Sequence, residues 1–164
     1  MIRTMSTGPI LIDTGARVLP EWIDYNGHMN VAYYQLAFDR AVDVLFDGFG
    51  LDAAYRAATG QSTFALEAHI CYLRGVKAGD PLRFTMQLLD FDAKRLHLFS
   101  SLQHATDHFT AATYEVLSLH VSLEKRKAAV FPDVIQQQLG KVLDAHRPLP
   151  RPEQAGRIIG IRRG

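Results

Sequence analysis

Asp24-Tyr25-Asn26-Gly27-His28-Met29-Asn30, continued by the run Val31 to Phe46, is the stretch that decides how this chain folds. Its first part sets a carboxylate, an imidazole and two carboxamides around one glycine. Asp, Asn and Gly favour turns because they tolerate left-handed backbone or bond their own main chain. In the second part Val31, Tyr34, Ala37, Phe38, Ala41, Val42, Leu45 and Phe46 recur at spacings of three and four. That period is one face of a helix. Asn30 is the expected N-cap, and Gly48 and Gly50 the expected end. A polar turn therefore feeds a helix N-terminus, whose first N–H groups are unpaired and carry partial positive charge. A carboxylate beside such donors suits chemistry on a carbonyl.

Outward from the helix the period changes. Upstream, residues 10–19 read as a first strand, ended by Pro20. Downstream, a short helix at about 51–58 stops near Gly60, and Thr63 to Arg74 alternates with a period of two. Gly79-Asp80-Pro81, Asp92-Ala93-Lys94 and Thr106-Asp107-His108 are turns. They separate strands at Leu82 to Phe91, Arg95 to His104 and Phe109 to Leu123. A short piece at Ala128 to Phe131 stops at Pro132, and 133–146 reads as a last helix. Strands joined by tight turns form antiparallel meanders, and an apolar helix must be covered by such a sheet. The expected fold class is α+β, with one antiparallel sheet wrapped around the helix 31–46. The expected division is a loose tail at 1–9, a domain at 10–132, and a C-terminal helix and extended arm at 133–164. The arm's Ile158, Ile159 and Ile161 suggest that it docks on something, such as a second subunit.

Composition narrows the function. The 164 residues suit one domain, and a net charge of +1 gives no basic field for nucleic acid. A lone cysteine, Cys71, excludes an internal disulfide and a cysteine-rich zinc site, and it fits a reduced, cytoplasmic setting. No apolar run reaches the length of a membrane span. His104 and His108 are four apart but across a turn, so no metal site is expected. Gly48-Phe49-Gly50 follows a helix instead of a strand, which removes the mechanism of a dinucleotide fingerprint. No nucleophile elbow and no phosphate-binding loop occurs. No cofactor is expected.

The order strand, then Asp24, Gly27, His28 and Asn30 with Tyr33-Tyr34, then an apolar helix, resembles the hotdog-fold acyl-CoA thioesterases of the 4-hydroxybenzoyl-CoA thioesterase type. Ile70-Cys71-Tyr72-Leu73-Arg74 and Gly79-Asp80-Pro81-Leu82 resemble that family's long strand and following turn. The resemblance covers about residues 16 to 131 and implies a hotdog fold, an acyl-CoA substrate, and a homodimer or homotetramer with active sites at a two-fold interface. It implies Asp24 as nucleophile or as general base for a water, with amides near Asn30 and Val31 polarising the thioester carbonyl. His28 and Asn30 would orient the reacting groups, with Asn26 a weaker candidate beside Gly27.

One departure stands out. Many relatives have a second aspartate two residues before the first, and here Trp22 takes that place. Trp22, Tyr25, Tyr33 and Tyr34 could form an aromatic face for a cation; tyrosines in a helix's first turns are otherwise core residues. Glu67 and His69 share one strand face, either as a carboxylate for a quaternary ammonium or as an exposed pair. Leu66 to Arg74, Ala93 to Phe99 and the C-terminal arm also resemble thioesterases of bacterial carnitine breakdown, which implies betainyl-CoA as substrate. Two other functions fit the same fold: an enoyl thioester hydratase or dehydratase, and a non-catalytic acyl-CoA binding module.

Overall fold

The expected central helix forms as α1, Val31–Gly48. The computed structural model describes residues 2–3 and 8–161. Asn30 caps α1 with extended backbone, its side-chain oxygen accepting from the Ala32 N–H at 3.0 Å. The helix runs two residues beyond the apolar pattern and is turned out by Gly50 at φ 79°. A second helix, α2, spans Ala53–Thr59 between an Asp52 cap and left-handed Gly60. Both helices begin and end on the residue types that satisfy unpaired terminal groups at least strain.

Around α1 lies one antiparallel sheet. Its strands are β1 (Ile2–Arg3), β2 (Ile10–Ile12), β3 (Gln61–Tyr72), β4 (Leu82–Phe91), β5 (Arg95–His104), β6 (Thr110–Ser122) and β7 (Lys127–Ala128). Their order is β1-β2-β4-β5-β6-β3, with β7 on β6. The inner face meets the apolar face of α1. Phe38 stacks on Tyr114 at 5.1 Å and meets Phe84 edge-on at 5.8 Å. Phe38 is fully buried, so truncating it to alanine would cost about 3–5 kcal/mol.

A bulge in β3 sets which side chains reach that inner face. The register shifts between Ala65 and Glu67, leaving Leu66 unpaired. Ala65 stands opposite Ser118 before it, and Ala68 and Ile70 stand opposite Val116 and Tyr114 after it. Odd residues face inward before the bulge and even residues after it, because one extra residue exchanges the two faces. β3 is the sheet's last strand and leaves one long edge open, with Phe64 and Leu66 more than half exposed.

Several expectations need amendment. The strand expected at 10–19 pairs only over Ile10–Ile12. Beyond it, Val18 exchanges backbone bonds with Gly79 and Asp80, and Pro20–Trp22 form a turn of 3-10 helix. Pro20 fixes the backbone there instead of merely interrupting a strand. Within the tail expected to be loose, Ile2 and Arg3 pair with Ile12 and Leu11, and residues 1 and 4–7 lie outside the described residues.

The last helix, α3 (Asp133–His146), packs beside β4 and the end of α1. Its His146 Nδ1 accepts the Leu88 N–H at 2.9 Å, satisfying β4 just past the end of β2. The arm then turns back over the outer face of the sheet. Its Gly156 N–H donates to Glu115 Oε2 at 2.7 Å, and Ile158, Ile159 and Ile161 stay exposed. No helix among the described residues is long and apolar enough to cross a membrane.

Candidate active site

The segment 24–30 folds as a tight hairpin at the mouth of α1. Ile23 and Met29 form its closing bridge. The Gly27 N–H donates to the Asp24 carbonyl at 3.0 Å, and the Asp24 N–H donates to the His28 carbonyl at 2.9 Å. Gly27 sits at φ 75°, a conformation that L side chains rarely adopt. One carboxylate oxygen of Asp24, Oδ1, accepts the Asn26 N–H at 2.8 Å, the side-chain turn typical of aspartate. Turn chemistry therefore uses half of the carboxylate and leaves Oδ2 without a hydrogen bond among the described residues.

The amides at the helix mouth are not equivalent. The Asn30 N–H donates to the Trp22 carbonyl at 2.8 Å, the Ala32 N–H to the Asn30 side chain, and the Tyr33 N–H to the Asn30 carbonyl. The Val31 N–H has no acceptor among the described residues. The two positions named from the sequence thus divide: Asn30 caps and anchors the turn, while Val31 offers a free donor at the positive end of an eighteen-residue helix.

Behind this mouth lie aromatic groups. Tyr34 is buried and meets Tyr72 edge-on at 5.3 Å. Burial raises the Tyr34 phenol pKa; a hydrogen bond from the Val76 backbone opposes that, and Tyr72 and Asp24 add smaller upward effects. Tyr34 therefore stays protonated and within the field of Asp24. Tyr72 and Val76 were not singled out from the sequence as site residues. The sequence marks Tyr72 only as an aromatic residue within the strand motif Ile70-Cys71-Tyr72-Leu73-Arg74.

Gly75 has a related role. A Cβ there would come within 2.6 Å of the His28 ring, so the absent side chain gives the imidazole its place. The Met29 N–H donates to the Val76 carbonyl and ties the same loop to the hairpin.

The remaining sequence candidates scatter. Tyr25 is 96% exposed and points away with Asn26. Trp22 is buried, stacked on Tyr33 at 5.5 Å, with the Arg40 guanidinium 5.8 Å from its ring. A ring already stacked and already facing a cation is a poor seat for another, so the expected aromatic face does not assemble. Glu67 and His69 do share a face, but it is the outer one. They line a recess of about 410 Å³ with His97, Glu115 and the arm, on the side of the sheet opposite α1. There His97 Nε2 lies 2.8 Å from Glu115 Oε1. The β3 bulge explains the outcome, since an unbroken alternation would have kept both residues on the face of Thr63 and Ala65. No cluster of metal-ligating side chains occurs among the described residues.

Comparison with known proteins identifies the family and the fold. The profile of the thioesterase-like superfamily matches residues 18–139. A betainyl-CoA thioesterase of Pseudomonas aeruginosa is 42% identical over 144 residues, which are 88% of this chain and 91% of that protein. An L-carnitine dehydrogenase/betainyl-CoA thioesterase of Rhizobium meliloti is 36% identical over 96% of this chain, which spans only 32% of that longer protein. Among solved structures, a Staphylococcus aureus protein in complex with CoA superposes with a TM-score of 0.88 at 30% identity, covering 98% of this chain and 99% of that one. With the turn at Asp24, the free amide at Val31 and the wrapped helix all in place, the chain belongs to the thioesterase-like superfamily as a thioester hydrolase of hotdog fold.

Proposed function

We propose that the protein hydrolyses betainyl-CoA to betaine and free CoA in the cytoplasm, with Asp24 and the Val31 amide as its working groups. The observation that carries the chemistry is that the hairpin at the mouth of α1 holds both a carboxylate with one unbonded oxygen and, at Val31, a helix-terminal amide without an acceptor among the described residues. The thioester oxygen accepts from the Val31 N–H, and this bond strengthens as the oxygen gains charge in the transition state. The Asp24 carboxylate attacks the carbonyl carbon or takes a proton from a water that does. Either route breaks the C–S bond, releases the thiol and adds one water. The betainyl group is supported by the Pseudomonas aeruginosa relative and by the Rhizobium meliloti relative.

The open edge of β3 supports a homodimer. Twelve residues of strand with exposed Phe64 and Leu66 offer unpaired backbone groups that a second copy can pair. Full use of the strand in an antiparallel pair about a two-fold sets the Tyr72 end of one copy beside the Gln61 end of the other.

The test is turnover by Asp24→Asn, followed through free thiol. The change is nearly isosteric and removes the charge. A fall in kcat of at least about 10²-fold is expected, with the melting temperature held. Wild-type turnover would reject Asp24. A wild-type preference for long-chain or aromatic acyl-CoA over betainyl-CoA would reject the substrate.

A further inference from the structure

A cavity of about 270 Å³ lies between α1 and the inner face of β3 and β6, away from the turn at Asp24. Asp39 and Asp43 of α1 stand on one wall; Phe46, Tyr114 and Val116 supply aromatic and aliphatic surface; Ser118 lies at its base. Neither aspartate makes a hydrogen bond or salt bridge among the described residues. Burial raises the Asp43 carboxyl pKa, the Asp39 charge adds to this, and Arg56 opposes it from a distance. Like charges four apart on a helix repel, and Arg56 is the cavity's single basic side chain. Ser118 is 3% exposed, lines the cavity, and its hydroxyl has no hydrogen-bond partner among the described residues. This is a space short of positive charge, walled by two carboxylates and by aromatic and aliphatic side chains. Carboxylates beside aromatic and aliphatic walls suit a quaternary ammonium, which needs opposite charge and contact for its methyl groups.

The cavity opens along Ser62, Thr63 and Ala65, at the Gln61 end of β3. Antiparallel pairing of two β3 edges puts that end beside the Tyr72 end of the other copy, one strand spacing away, about 5 Å. Tyr72 packs on Tyr34, within the field of Asp24. Each helix mouth would therefore face the acidic cavity of the other copy. We infer that the cationic acyl head is held in trans, by Asp39 and Asp43 of the partner subunit, while Asp24 and Val31 act on its carbonyl. The inference rests on the thioesterase reading and on β3 pairing. It moves the cation seat from Trp22, Glu67 and His69 to residues that no turn motif marks.

Two measurements test it. Betainyl-CoA is compared with 3,3-dimethylbutyryl-CoA, its neutral isostere, in Asp39→Asn, Asp43→Asn and the double variant. The ratio of kcat/KM values, cationic over neutral, should fall at least about ten-fold in the double variant. An equal effect on both thioesters, or none, overturns the cation role. Loss of both activities in Asp24→Asn alongside an unmoved ratio in the double variant would sink this inference alone; wild-type turnover by Asp24→Asn would sink the proposed role of Asp24. Placement in trans is then tested by co-expressing Asp24→Asn with the double variant. Half of the dimers are hybrids, and half of the hybrid sites are intact, so about a quarter of wild-type betainyl-CoA activity should return. A mixture no more active than its two parents overturns the partner's contribution.

Discussion

At the scale of single residues, the turn does two jobs with one aspartate. Asp24 Oδ1 closes the turn through Asn26, and Oδ2, without a hydrogen bond among the described residues, is the oxygen proposed to act on the thioester. Asn30 is consumed by capping, which leaves the Val31 N–H as the free donor. This division makes a clean experiment available. Proline is tolerated at the first position of a helix, and it lacks only the N–H. Asn30, at φ −67° and ψ 146°, already has the extended backbone that a following proline demands. Val31→Pro should therefore leave the melting temperature within a few degrees while lowering kcat by about 10²–10³-fold. Retained kcat in a folded Val31→Pro protein would remove the amide from the mechanism. The turn that carries Asp24 was legible in the sequence because aspartate, glycine and a helix start follow one another within one short segment. Val31 was legible only as a neighbour, since no side chain marks a free amide.

At the scale of elements, α3 is held to β4 by a pH-sensitive contact. Burial lowers the His146 pKa below its usual 6.5. The unfolded chain therefore takes up a proton at higher pH than the folded one. Stability from this group is fully present above about pH 6.5 and is lost as pH falls towards the lower folded value. A protonated Nδ1 would also turn a donor towards the Leu88 N–H. Thermal melts at about pH 7.5 and about pH 5.5 should show a drop that shrinks in His146→Asn, whose amide oxygen can still accept from Leu88. His120, also lowered by burial, keeps part of the slope. A slope identical to wild type would exclude His146 as its source. The helices α1 and α3 and the strands β4, β5 and β6 were legible to within a few residues, because each carries its own period and its own turn. The strand expected at 10–19 was not. Its residues alternate well enough, but β4 can be paired only where the chain lies beside it.

At the scale of the whole molecule, the proposed pairing links the open β3 edge to the proposed site. The Tyr72 end of the edge adjoins the mouth of α1, and the Gln61 end adjoins the acidic cavity. Lysine on an edge strand opposes pairing because its charge would be buried between strands. Leu66→Lys should shift the protein to monomer in sedimentation equilibrium and lower kcat/KM by at least about ten-fold, with near-native circular dichroism. A fully active monomer would contradict a shared site.

The sequence by itself determined the wrapped helix, the antiparallel strands and the aspartate at the turn. These depend on local period and local turn chemistry, which neighbouring residues carry. Only the tertiary structure decided which face Glu67 and His69 occupy, because one bulged residue exchanges the faces of β3 and alternation does not reveal it. It also decided that Trp22 is already stacked, that Gly75 makes room for His28, and that Asp39 and Asp43 line a cavity without a bonded partner among the described residues. Those are contacts between segments distant in the chain, set by packing against the sheet.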